Sequence, residues 1–131
     1  MRKVFVSLFL LALSWSGQAW GRPATIFDYS AQLKLQESQT QSLRNLLQDL
    51  RQENERLQAA LIQEERKFRQ LVAQQAELGT IRKSLDSIRD LRVSLRMLDL
   101  QTQRKLENVL SAEQLGQWRA IQAQIQAQKK P

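Results

Sequence analysis

A chain of 131 residues with no His and no Cys lacks the usual ligands of zinc and copper, the commonest general base and any disulfide framework. Its two prolines, Pro23 and Pro131, leave everything between them free of an obligate helix breaker, and aromatics make up only 6%, so the composition is that of one domain of long helices. The formal charge of +7 suits acidic proteins, anionic headgroups or nucleic acid.

Met1-Arg2-Lys3 is a short positive start, followed by an apolar run from Val4 to Trp15. That run is shorter than the ~20 residues a membrane-spanning helix needs. Gly17-x-Ala19 and Ala19-x-Gly21 then fit the small-x-small rule of a cleavage site. Residues 1–21 therefore read as a secretory signal peptide, cut near Ala19 or Gly21, with an uncleaved signal anchor as the alternative. No Cys follows the apolar run, which excludes a lipoprotein. Export argues against nucleic acid as a partner. Loss of Arg2 and Lys3 leaves a mature charge of +5.

Residues 22–131 read as a single all-α domain. Arg22 to Ile26 is expected to be a disordered lead, and residues 29–35 a short helix with Asp28 as N-cap. The spacing predicts a long helix over 37–78. Leu43, Leu50, Leu57, Leu71 and Leu78, interleaved with Leu47, Leu61 and Phe68, form a heptad seam interrupted by Asn54, Glu64 and Gln75. Such a helix is roughly 60 Å long at 1.5 Å per residue, so the molecule is expected to be elongated. Gly79-Thr80 is the expected break, with Gly ending one helix and Thr capping the next. So short a loop implies an antiparallel hairpin. The second long helix, 81–110, carries Ile81, Leu85, Ile88, Leu91, Leu95, Leu98, Leu106 and Val109, with Thr102 interrupting. Ser111 caps a last helix, 112–128, bearing Leu115, Trp118, Ile121 and Ile125. A disulfide-free hairpin of this size is expected to complete its core as an elongated homodimer.

Ser111-Ala112-Glu113-Gln114 is a capping box, in which each end satisfies a free N–H of the other. Leu110 precedes it and Trp118 follows. An earlier, looser copy is Leu35-Gln36-Glu37-Ser38-Gln39, in which Gln36 is a poor cap. Ser38-Gln39-Thr40-Gln41 offers an alternative start. Two such boxes around a long helical hairpin, behind a signal peptide, resemble the Spy/CpxP-type periplasmic proteins and the related zinc-resistance-associated proteins, whose mark is a repeated leucine-threonine-x-x-glutamine motif. The resemblance runs from Tyr29 to Ile125. It departs from the pattern where Gln36 and Ser111 stand in place of Thr. It implies that Leu35, Gln36, Gln39, Leu110, Ser111, Gln114 and Trp118 are the motif residues. Helix capping alone explains their residue types.

The resemblance also implies a periplasmic dimer that holds clients on a basic, apolar face. Seven basic and four acidic residues between Thr80 and Leu110 give that stretch a net +3. Arg82, Arg89, Arg92 and Arg96, with Met97 beside them, are the candidate client-binding residues. Arg stems lie along apolar surface while the guanidinium meets acidic groups, and Met adapts to varied contacts. A solvated helix face is the plainer reading of the same stripe.

The expected function is thus an ATP-independent periplasmic chaperone or envelope-stress adaptor. Its partners would be unfolded or partly folded periplasmic proteins or a membrane sensor, with no nucleic acid, ATP or cofactor. A metal-resistance sensor partner and a coiled-coil scaffold, the latter favoured by Asn54 at a seam position, are the alternatives. The metal alternative has only Glu64-Glu65 and Asp86/Asp90 to draw on. An enzyme is not expected, because without His or Cys there is no nucleophile–base pair.

Overall fold

The computed structural model describes residues 25–129. The signal-peptide reading of residues 1–21, the lead residues 22–24 and the last two residues lie outside them. A 3₁₀ turn, Ile26–Tyr29, leads into α1 (Ser30–Leu33), followed by the two long helices α2 (Glu37–Ala73) and α3 (Leu78–Val109) and by α4 (Ala112–Lys129). The described residues form helices and no strand, and the two long helices pack together.

Two compact units divide the described chain. The first holds residues 25–47 and 102–129, the second residues 48–101. In the first unit Ile26, Leu33, Leu43, Leu106, Leu110, Trp118 and Ile121 form the buried cluster. Tyr29 leans on Trp118, ring centroids 6.0 Å apart at 56°, a tilted pairing that aromatic quadrupoles favour. Ile26 belongs to this core, being 3% exposed, so the expected disordered lead is already ordered there. Asp28 is not an N-cap either. Its carboxylate reaches back to accept the Thr25 N–H at 2.8 Å, so Thr25 starts the turn and Asp28 closes it.

In the second unit α2 and α3 run back along each other through the bend at residues 74–77. The bend falls earlier than Gly79-Thr80. Gln75 takes the left-handed conformation, φ 55°. The Ala76 N–H donates to the Leu71 carbonyl at 3.0 Å and the Gln75 N–H to the Val72 carbonyl at 3.1 Å, the paired bonds of a Schellman ending. The Glu77 carbonyl then accepts from Thr80 and Ile81, which starts α3 with Gly79 inside its first turn. Ending α2 at Ala73 breaks the heptad phase. Leu43, Leu50 and Leu57 are buried as the seam requires, but Leu78 is 82% exposed and Gln75 sits at the bend. On α3 the core line also differs by one residue. Ser84 is buried and Leu85 exposed, because the Ser84 hydroxyl donates to Glu64 Oε2 on α2 at 2.9 Å. A partly buried carboxylate gains from such a donor, and a leucine at 84 would leave Glu64 only the Lys67 ammonium at 4.0 Å. Thr102, expected as an interruption, is itself buried.

Candidate functional site

Two arrangements draw together the residues singled out in the sequence, one in each unit. The first is the meeting of the two capping boxes. In the second copy the Ser111 N–H donates to Gln114 Oε1 at 2.9 Å, and the Gln114 N–H to Ser111 Oγ at 3.2 Å. In the first copy only half the box forms: the Gln36 N–H donates to Gln39 Oε1 at 2.9 Å. The helix starts at Glu37, with the Gln36 carbonyl accepting from Thr40 at 2.9 Å, and not at the alternative Ser38.

The two motif glutamines then meet. Gln39 Nε2 donates to Gln114 Oε1 at 2.7 Å, and Gln114 Nε2 returns a bond to Gln39 Oε1 at 3.1 Å. Gln39 Nε2 also donates to the Val109 carbonyl at 3.0 Å, while Gln114 Nε2 reaches the Leu33 and Lys34 carbonyls at 3.0 and 3.2 Å. Each motif therefore caps its own helix with the oxygen and ties down the carbonyl just ahead of the other motif with the nitrogen. Turning either amide over would set an NH₂ against an N–H, so the network itself fixes both orientations. Leu35 and Leu110 pack on the core below, and Trp118 is buried in it. These residues close on one another and leave no polar group of the pair pointing outward. Their geometry is architectural.

The second arrangement lies along α2 and α3 in the second unit. Glu65, Phe68 and Arg69 from α2 face Leu85, Ile88, Arg89, Arg92, Val93 and Arg96 from α3 across an open groove of about 750 Å³. Three of the five stripe residues expected from the sequence, Arg89, Arg92 and Arg96, line it. Arg82 and Met97 do not, although both are exposed on the same helix. Val93 is 54% exposed and Leu85 46%, so apolar and cationic groups alternate on one surface.

The cations are held in place. Arg92 bonds Glu65 Oε2 across the hairpin at 2.8 Å, and Arg89 pairs with Asp86 and Asp90 at 3.1 and 3.2 Å. Such exposed pairs are worth roughly 0–1 kcal/mol and are easily exchanged for a carboxylate on another molecule. Arg69 makes no ion pair among the described residues. Half-burial pushes the Asp99 carboxyl up from its ordinary value, and neighbouring Arg96 pulls the other way. Of the carboxylates of the metal alternative, Glu64 accepts from Ser84, Glu65 pairs with Arg92, and Asp86 and Asp90 pair with Arg89. Asn54, the polar seam position, is half-buried.

Sequence reasoning missed Glu65, Phe68, Arg69 and Val93 as lining residues. On α3 the signal was present, because 85, 88, 89, 92, 93 and 96 follow the three-and-four spacing of one helix face. On α2 the partner residues could be found only once the bend was placed. Comparison with family models, with curated proteins and with solved structures gives no match to the chain.

Proposed function

We infer that the protein is an ATP-independent chaperone or adaptor of the exported compartment, of the Spy/CpxP type that its sequence resembles. It would hold partly folded proteins loosely on the outward face of α3, acting by binding and not by catalysis. One observation carries this reading: Leu85, Val93, Met97 and Leu100 are exposed apolar side chains on the same helix as Arg82, Arg89, Arg92 and Arg96. Exposed apolar groups interspersed with charge mark a surface made for transient partners. Long Arg side chains let such a surface meet apolar segments and carboxylates together. Weak capture requires no nucleotide, and the chain carries no Gly-rich phosphate loop. The same reading has the chain work as a homodimer.

The test is suppression of aggregation of a reduced, partly unfolded client by the purified protein, without ATP and at two salt concentrations. Protection is expected to fall as salt rises, since screening weakens exposed charge contacts. Replacing Arg89, Arg92 and Arg96 together by Gln should remove most of it while far-ultraviolet circular dichroism stays unchanged. Protection that survives the triple replacement would move the binding surface elsewhere. Absence of protection at several-fold excess would favour the scaffold alternative. Sedimentation velocity checks the dimer.

A further inference from the structure

The end of the α2–α3 hairpin has a different character from the groove. Leu78 is the most exposed large apolar side chain among the described residues, at 82%, and Val72 across the bend is 48% exposed. Between positions 66 and 83 stand five cations, Arg66, Lys67, Arg69, Arg82 and Lys83, against the single carboxylate of Glu77. All five cations are exposed. Among the described residues only Lys67 of the five has a carboxylate within ion-pair distance, Glu64 at 4.0 Å. The bend itself is closed by its own backbone bonds, so the tip is a built element that holds two apolar side chains in the open among unneutralised positive charge.

We propose that this tip docks on an anionic phospholipid surface, with Leu78 and Val72 entering the interfacial layer and the five cations meeting the headgroups. Charge complementarity is the argument: five cations and one carboxylate surround two exposed apolar side chains. A lipid surface needs no matching shape, because headgroups move to the cations, and a few apolar side chains suffice for reversible attachment. Arg69 also lines the groove and Arg82 stands on the proposed client face, so the two surfaces share those cations; Leu78 and Val72 belong to the tip alone, and their replacement separates attachment from client capture.

The experiment is co-sedimentation of the purified protein with vesicles of phosphatidylglycerol and phosphatidylethanolamine, compared with vesicles of phosphatidylcholine alone, at low and at physiological salt. A tip-apolar variant, Leu78→Gln with Val72→Gln, is run beside a tip-charge variant, Arg66→Gln, Lys67→Gln, Arg82→Gln and Lys83→Gln. All these positions are exposed, and helicity is checked by circular dichroism. Because these chains differ only at the tip, a contribution from any other segment cancels. The expected result is binding to the anionic vesicles that weakens with salt. Partition should drop on the order of fivefold for each cation removed at low salt, and should also be lost in the tip-apolar variant. Equal binding by the wild type and the tip-apolar variant would overturn the proposal. So would equal binding to neutral vesicles, or an equally tight, tip-dependent association with soluble polyglutamate, which would make the tip a site for acidic proteins.

Discussion

Gln114 joins more hydrogen bonds than the other motif residues described. It accepts the Ser111 N–H, donates to the Leu33 and Lys34 carbonyls and exchanges bonds with Gln39, all from a position only 9% exposed. Gln114→Ala takes the partner from the buried Leu33 carbonyl and from the Ser111 N–H, while Gln39 keeps Val109 and Gln36, and each buried group left unsatisfied costs about 1–3 kcal/mol. Urea unfolding should lose at least ~2 kcal/mol with an unchanged slope. At Gln36 the sign reverses. Its side chain makes no cap, so Gln36→Thr should add about 0.5–1 kcal/mol, read as a higher midpoint in the same titration. The capping role of Gln114 was legible, because Ser and Gln at that spacing explain each other. Its second role was not, since it depends on a glutamine seventy-five positions away that only the fold brings near.

Asp99 also belongs to this scale. Its folded carboxyl titrates above the ordinary value, so the folded state binds that proton more tightly than the unfolded chain does. Its contribution is therefore most favourable below the unfolded pKa, about 4, and is lost as pH rises through the folded value. Asp99→Asn removes the charged form and should raise the melting temperature at pH 7. The two proteins should converge below about pH 4. A lower melting temperature for the variant at pH 7 would mean that the Arg96 contact outweighs burial.

Among the elements, the bend tests best how local chemistry sets the boundaries. A glycine at 79 and a threonine at 80 are good turn residues, yet the chain turns at Gln75. The cost is a non-glycine residue at φ 55°, a conformation that glycine adopts freely. Gln75→Gly should therefore stabilise by about 1 kcal/mol, seen as a shift of the thermal midpoint. Destabilisation would mean that the Gln75 side chain holds the bend. The early turn also explains why the heptad was readable only in part. Leu43, Leu50 and Leu57 keep the period and are buried, whereas Leu78 follows the bend and has lost its phase. The choice between Ser84 and Leu85 was invisible to periodicity, since both spacings fit a helix. At 84 the hydroxyl finds Glu64 on α2 as its acceptor, a contact that periodicity does not see.

Over the whole described chain the two units divide the apolar residues unequally. The large buried cluster falls within residues 25–47 and 102–129. Every strongly exposed large apolar side chain, from Ile62 to Leu100, falls within residues 48–101. On the proposed function, this exposed stretch is the one that holds partners. That asymmetry was not legible beforehand, because the heptad pattern treats both halves of the hairpin alike. The most direct test of client capture is site-specific photo-crosslinking to a reduced, partly unfolded client, with the probe placed at Val93 or, as control, at exposed Gln124 on α4. Adducts at 93 and few at 124 are the predicted result. Adducts at 124 equal to or exceeding those at 93 would contradict the assignment of the α3 face as the binding surface.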